Sequence, residues 1–168
     1  KIASERIERK LQVCIIGDGP ERDRLERRAT QLSVDDQVEF FGFVEADEDV
    51  IANMKSATVF VLPSIREGFP NTILEANACG VPSIVVDHPE NGSTGIVRND
   101  DTGFIVDPSP DAIADQVIDL LSNHDLQQRL SENAREYGKA HDWSNIVSDL
   151  ERVYLNALGT DTKSHDNK

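Results

Sequence analysis

Two glutamates, Glu67 and Glu75, have the side-chain type and the spacing that best suit a chemical role in this sequence. A carboxylate accepts pairs of hydrogen bonds from neighbouring hydroxyl groups, so it suits sugar or ribose, whereas phosphate repels it. Glutamate is also common near helix starts, because it complements the helix dipole, and any single glutamate is more often a solvated surface residue. The pair favours a hydroxyl-rich ligand if the neighbouring elements turn both carboxylates toward one crevice.

The segment around these glutamates is predicted to connect a buried strand to a helix. An apolar run ends at Leu62, Gly68 permits close approach to the backbone, and Pro70 is well placed at the first turn of a helix. In an open parallel sheet, ligands bind at the carboxyl ends of strands, where free N–H groups at helix starts favour phosphate. We therefore expect the amides of residues 71–73 to bind a diphosphate without a P-loop lysine.

Short apolar runs, turn signals and helical segments alternate along the chain. Strands are predicted at residues 11–16, 38–41, 58–62, 83–86 and 103–107. Helices are predicted after Pro20, near 50–55, up to Ala78, up to Leu121, and over about 125–139 and 143–157. This alternation predicts an α/β fold, a Rossmann-like doubly wound parallel sheet flanked by helices.

The domain organisation follows from the same pattern. We expect residues 1–158 to form one domain, because the final helices carry too few apolar positions for a core of their own. Residues 159–168 are polar, and a disordered tail is expected there. Residues 1–10 have a helix-forming composition and lead directly into a strand, so the first strand of the domain is expected to precede Lys1.

Composition narrows the classes of partner. The formal net charge of −14 argues against nucleic acid, because phosphate backbones are bound by clustered Lys and Arg. No apolar run is long enough for a bilayer and no signal-peptide pattern opens the sequence, so a cytoplasmic location is expected. Cys14 and Cys79 lie in apolar surroundings and are expected to be reduced, buried thiols. The histidines are far apart in sequence and predict no metal site.

The string SIREGFPNTILEANACGVP, residues 64–82, resembles the signature of the retaining GT-B glycosyltransferases of family 4. The Glu-x7-Glu spacing of that signature is kept between Glu67 and Glu75. Similarity also lies in VCIIGDGP, in VEFFGFV, and in Asp142-Trp143 with the following helix, which is similar to the family's C-terminal crossover helix. The turn Gly17-x-Gly19 supports the resemblance only together with these other strings, since it lacks the third glycine of the dinucleotide fingerprint.

The resemblance implies a role for each matching position. Glu75 would hydrogen-bond the ribose hydroxyls of the nucleotide, and Glu67, the candidate catalytic residue, would bind hydroxyls of the transferred sugar near its reacting face. Other residues would hold the diphosphate and the base, with Val44 offering backbone contacts to the base. These donor-binding residues are Gly17, Gly19, Val44, Gly68, Phe69, Asn71, Thr72 and Ile73.

On this resemblance the chain is one half of a GT-B fold. The implied donor is a UDP- or GDP-sugar, bound without a cofactor or metal, and the acceptor would be held by an N-terminal domain absent from this sequence. Mannosyl- and glucosyltransferases are among the family's members. The full-length protein would contact the inner membrane face, if at all, through that absent half, and the isolated chain is expected to be inactive.

Two departures from the family pattern matter. The Arg and Lys that neutralise the departing diphosphate in the family would lie before Lys1, and Gly95 occupies the place of a family glutamate.

Two other functions stay open. Nucleotide-sugar epimerases share the GT-B architecture, so an epimerase is one alternative. The other is a non-enzymatic nucleotide-binding α/β module, which would bind NAD or a protein without preferring nucleoside diphosphates.

Overall fold

The computed structural model describes residues 1–158, so the expected disordered tail at 159–168 lies outside the described residues. The strands are β1 (Val13–Ile16), β2 (Val38–Gly42), β3 (Phe60–Leu62), β4 (Ser83–Val86) and β5 (Gly103–Val106). The helices are α1 (Ile2–Arg6), α2 (Arg22–Gln31), α3 (Asp47–Ser56), α4 (Asn71–Cys79), α5 (Pro110–Ser122), α6 (His124–Ala140) and α7 (Trp143–Ala157). A short 3-10 helix at Gly92–Gly95 lies where no helix or strand was predicted.

The five strands pair in two parallel sheets. β1 pairs with β2, and β4 lies between β3 and β5 in a second sheet. The predicted class, α/β with parallel sheet flanked by helices, is confirmed. The expected single sheet is divided between β1 and β3, because these two strands are not hydrogen-bonded neighbours in the described chain.

The centre of the core is β4, whose four residues are all buried. Ile84 packs with Leu120 of α5 and Leu130 of α6 on one face of the sheet. Val85 packs on the opposite face with Ile73 of α4 and with neighbours after the 3-10 helix. Because successive side chains of a strand point to opposite faces, a continuous apolar strand such as this one needs cover on both faces. The helices supply that cover.

Helix α4 is held between the sheet and α6. Gly138 of α6 allows the close approach, since a Cβ built there would lie 2.5 Å from the backbone nitrogen of Ala78. The helix ends at Gly80, whose φ of 74° is the left-handed conformation that glycine adopts without strain. Both ends of α4 are therefore determined by local sequence, with Pro70 at the start and Gly80 after the end.

The half of the fold that contains β1 and β2 is less well covered. Val13 of β1 is 41% exposed although it stands in a wholly apolar strand. The expectation of two buried thiols is wrong for Cys14, which is exposed. Among residues 1–158, β1 is paired with β2 on one edge and has no strand neighbour on the other. Cys79, at the end of α4, is partly buried.

The last helix, α7, presents apolar side chains to solvent. Trp143, Val147, Leu150 and Tyr154 recur at helical spacing, and each is about half exposed or more. None of the residues of α7 is buried. No helix within residues 1–158 is both long enough and apolar enough to cross a membrane.

The two cysteines give a direct check of this packing. Cys14 is expected to react with a thiol reagent several-fold faster than Cys79, because partial burial raises the pKa of the Cys79 thiol and leaves less of it as thiolate at a given pH. The measurement is site-resolved alkylation of the folded chain by mass spectrometry near neutral pH. Cys14→Ser should remove the fast phase alone. Equal rates for the two thiols would contradict the described exposure of β1.

Candidate functional site

The connection from β3 to α4 is built as the sequence predicts. β3 ends at Leu62, and α4 starts at Asn71 with Pro70 as its N-cap residue and no side chain capping the helix. The N–H of Ile73 donates to the carbonyl of Pro70 at 3.1 Å, whereas the N–H groups of Asn71 and Thr72 find no acceptor within residues 1–158. Two free donors at the positive end of a helix dipole favour an anion.

The three residues predicted to bind the diphosphate are therefore not equivalent. Asn71 and Thr72 are exposed, so their amides can meet a ligand. Ile73 is fully buried beside Val85, and its amide already has an acceptor. In the described chain Ile73 fixes the helix on the core, and the open donors are those of the two residues before it.

The two glutamates stand at either side of this helix start. Glu67 precedes α4, is partly buried, and its side chain makes no hydrogen bond or ion pair within residues 1–158. Glu75 lies in the second turn of α4, is exposed, and likewise forms no hydrogen bond or ion pair with the described residues. Both carboxylates thus keep their full capacity to accept hydrogen bonds from a ligand.

The backbone of Glu67 is held firmly, in contrast to its side chain. Its N–H donates to the carbonyl of Glu90 at 3.1 Å, and its carbonyl accepts from the N–H of Gly92 at 2.8 Å. This pairing is a single parallel β-bridge between Glu67 and Asn91. The segment that carries Glu67 is therefore fixed against the turn that follows β4.

Gly68 and Phe69 lie between Glu67 and the start of α4, and both are exposed. Phe69 is 66% exposed, so its ring is free to contact a ligand. Gly68 is exposed, and a Cβ built on it would meet nothing within 4 Å, so its backbone is open to solvent. Its carbonyl oxygen faces Gly92, where a built Cβ would lie only 1.8 Å away.

The remaining predicted donor-binding residues lie in the half that contains β1 and β2. Gly17 follows β1 with φ of 127°, and its N–H donates to the carbonyl of Gly42 at 2.7 Å. The N–H of Gly19 donates to the carboxylate of Asp18 at 2.7 Å. Val44 is partly buried just after β2, and its backbone N–H and carbonyl have no partner in the part of the chain that the structure describes. Such an open backbone is able to contact a base edge.

The structure adds one feature that the sequence analysis missed, the turn of residues 87–92. Asn91 is 2% exposed, and its side chain bonds to Val86 and Ser93. No ordered element was predicted at Asn91-Gly92-Ser93, although an Asn whose side chain accepts from an amide two residues ahead is a common turn-forming residue. That signal would have indicated an ordered turn at this place.

The guanidinium of Arg66, next to Glu67 in the chain, is paired with Glu90. Arg66 donates from both Nε and Nη2 to one carboxylate oxygen of Glu90, at 3.0 and 2.9 Å. The Arg66 side chain is 80% exposed. No group of three or more His, Cys, Asp or Glu side chains that could hold a metal occurs among residues 1–158. The place of Gly95 is open, with nothing within 4 Å of a built Cβ.

Comparison with known proteins places these features in a family. The family model described as Glycosyl transferases group 1 matches residues 1–137. N-acetyl-alpha-D-glucosaminyl L-malate synthase of Bacillus anthracis is 32% identical over 96% of this chain and 41% of its own length. GDP-mannose-dependent alpha-(1-6)-phosphatidylinositol dimannoside mannosyltransferase of Mycobacterium tuberculosis is 32% identical over 92% of this chain and 38% of its own length.

Solved structures agree with the sequence comparison. Sucrose-phosphate synthase of Thermosynechococcus elongatus superimposes with a TM-score of 0.77 and 28% identity, over 95% of this chain and 41% of the other. The pneumococcal O-GlcNAc transferase GtfA, solved with UDP and GlcNAc, has the same fold, with a TM-score of 0.77 and 20% identity over 94% of this chain and 31% of the other.

The fold is that of one domain of a GT-B glycosyltransferase. The chain belongs to the glycosyl transferases group 1 family. It spans about two fifths of the length of the curated relatives named above. The prediction of a GT-B glycosyltransferase, made from the string around Glu67 and Glu75, is thereby confirmed. Its assignment to the retaining enzymes of family 4 and the roles of the individual site residues stay predictions.

The contact between Gly92 and Gly68 can be tested with two alanine variants of one short helix. Gly92→Ala is expected to lower the free energy of unfolding by about 1–3 kcal/mol, because its Cβ would overlap the Gly68 carbonyl. Gly95→Ala, where the built Cβ meets nothing, is the matched control and should change stability by less than about 0.5 kcal/mol. Urea unfolding followed by circular dichroism measures both. Equal effects would show that the described contact does not exist.

Proposed function

We propose that this chain is the nucleotide-sugar-binding part of a retaining glycosyltransferase. The observation that carries the proposal is the start of α4, where the free amides of Asn71 and Thr72 follow Glu67 in a member of a glycosyltransferase family. The free amides would bind the diphosphate of the donor, because they combine unsatisfied N–H groups with the positive end of the helix dipole.

The carboxylates would bind the parts of the donor on either side of the diphosphate. Glu75 would accept hydrogen bonds from the ribose hydroxyls, and Glu67 from hydroxyls of the sugar, since both side chains have free acceptor oxygens. Val44 would contact the base through its open backbone, with Gly17 and Gly19 forming the turn nearby. Phe69 and Gly68 would line the mouth through which the sugar enters.

In the proposed reaction the acceptor hydroxyl attacks the sugar carbon on the face from which the diphosphate leaves, so the configuration is retained. The leaving phosphate takes the proton of the attacking hydroxyl as the new glycosidic bond forms and the sugar–phosphate bond breaks. Glu67 would position the sugar and stabilise the developing positive charge on it, without forming a covalent bond. No residue of this chain is needed as a metal ligand in this scheme, and we propose a metal-independent reaction.

We propose that the acceptor is bound by a further domain of the full-length protein. The chain spans 41% and 38% of the two relatives described above, which leaves room for such a domain. Two surfaces of the chain suit contact with further polypeptide. One is the edge of the apolar strand β1 that has no strand neighbour among residues 1–158, and the other is the exposed apolar side of α7.

The donor is proposed to be a UDP- or GDP-sugar. The Mycobacterium relative is named as GDP-mannose-dependent, so a mannosyltransferase is one possibility, and the pneumococcal structure contains UDP. The reaction would take place in the cytoplasm or at the inner membrane face, with membrane contact through the acceptor domain. No observation on the chain favours the epimerase or the non-enzymatic module over transfer.

Nucleotide binding tests the proposal. The folded chain is expected to bind UDP or GDP weakly and to transfer no sugar by itself. Glu75→Ala should weaken binding by roughly 10- to 100-fold, the loss expected for hydrogen bonds to a charged acceptor. Glu136→Ala, which removes an exposed glutamate of α6, is the matched control and should bind as the parent does. Titration calorimetry measures all three proteins, and a folded parent that binds neither nucleotide would refute the donor site.

A further inference from the structure

The turn after β4 is built around the side chain of Asn91, which is 2% exposed. Its Nδ2 donates to the carbonyl of Val86 at 2.7 Å, and its Oδ1 accepts from the N–H of Ser93 at 3.0 Å. The first bond ties the turn to the last residue of the most deeply buried strand, and the second caps the 3-10 helix. One amide group thus fixes the turn at two places.

The same turn holds the backbone of Glu67 from both sides. The carbonyl of Glu90 and the N–H of Gly92, the immediate neighbours of Asn91, pair with the N–H and the carbonyl of Glu67. A shift of the turn would therefore move the Cα of Glu67 and with it the carboxylate. The chain of contacts runs from Val86 through Asn91 to Glu67, and every bond in it is between 2.7 and 3.1 Å.

The ion pair between Arg66 and Glu90 joins the same two segments, but it is a weaker constraint. Its side chains are 80% and 55% exposed, and exposed pairs contribute little because water and salt screen them. The hydrogen bonds of Asn91 are buried, so breaking them leaves an unsatisfied carbonyl in the protein interior. The amide therefore determines the geometry more than the ion pair does.

We infer that Asn91 is a positioning residue of the donor site: it holds the Glu67 carboxylate where the transferred sugar is bound, without touching the donor. This inference rests on the proposed function, since it assigns Glu67 to the sugar. The inference distinguishes binding of the sugar from binding of the diphosphate, because the open amides of Asn71 and Thr72 belong to α4, to which Asn91 makes no hydrogen bond among residues 1–158. Removing the side-chain amide of Asn91 should then weaken binding of the sugar and leave the affinity for the nucleotide unchanged.

The test compares the affinity for a nucleotide-sugar with that for the nucleotide alone. The probes are UDP-glucose against UDP and GDP-mannose against GDP, titrated into the folded chain. The parent should bind the nucleotide-sugar more tightly, and Asn91→Ala should lose roughly tenfold of that preference while its affinity for the nucleoside diphosphate stays within about twofold. Glu67→Gln should lose the preference too, and the double variant should lose no more than either single one.

Asn123→Ala is the matched control, because Asn123 caps α6 through the same kind of bond, with Oδ1 accepting from the N–H of Leu126 at 3.0 Å. It should lower stability and leave the sugar preference unchanged. If Asn91→Ala does not fold, Asn91→Ser replaces it, and hydrogen exchange at the amides of Glu67 and Gly92 reports the loosened turn directly. Faster exchange at these two amides, with unchanged exchange in α6, is the expected result.

Four outcomes overturn the inference in different ways. One such outcome is that Asn91→Ala keeps the parent's full preference for the nucleotide-sugar. Another is that the double variant of Asn91 and Glu67 loses the sum of the two single losses of preference. Either result would show that Asn91 does not act through Glu67, while the proposed function stands. A parent that binds UDP or GDP without preferring the matching nucleotide-sugar would remove the role of Glu67 and that of Asn91 with it. A parent that binds neither nucleotide would refute the proposed function itself.

Discussion

Burial of β4 on both faces is the constraint on which the rest of the structure depends. Its four residues are excluded from solvent, so helices must cover each face of the sheet, and its two edges carry β3 and β5. The strand also ends next to the turn that holds Glu67. The same packing that stabilises the core therefore places the segment before α4, and a rigid position at this edge of the sheet follows from hydrophobic burial.

The two halves of the described domain differ in how deeply their strands are buried, because helices cover both faces of the sheet at β4 and leave β1 more exposed. In the half that contains β4, Ile84 and Val85 are fully buried, whereas Val13 of the equally apolar β1 is 41% exposed. A strand of continuous apolar residues is typical of the interior of a parallel sheet, with neighbours on both edges. The first four residues of β2, in contrast, alternate between partly buried and exposed, and only Gly42 at its end is buried. The sequence of β1 is thus that of an interior strand in an edge position.

Much of this architecture could be predicted from the sequence, because local signals determine it. Ser83–Val86 was predicted with its observed bounds. The helix α4 begins directly after Pro70, which predicted its start, and ends at Cys79, one residue beyond the predicted end at Ala78. The exposure of Cys14 could not be predicted, since an apolar strand does not reveal whether its neighbour is present. The ordered turn at Asn91 was missed for a similar reason: its bonds to Val86 and to the backbone of Glu67 form only after the chain has folded. Short-range patterns predict elements, whereas such contacts between elements depend on the tertiary fold.

An acidic chain that binds a diphosphate would have to do so through local rather than overall electrostatics. The net charge of −14 repels an anion at long range, but at physiological salt this repulsion is screened beyond roughly 8 Å. Within that distance the free amides of Asn71 and Thr72 contribute most to attracting the diphosphate, because the nearby Arg66 is already paired with Glu90. Amides and a helix dipole suit a bound diphosphate, whereas a departing one carries added charge and needs cations to stabilise it. On the proposed function, this division explains how one part of a transferase can hold the donor while the chemistry depends on charges supplied by the rest of the protein.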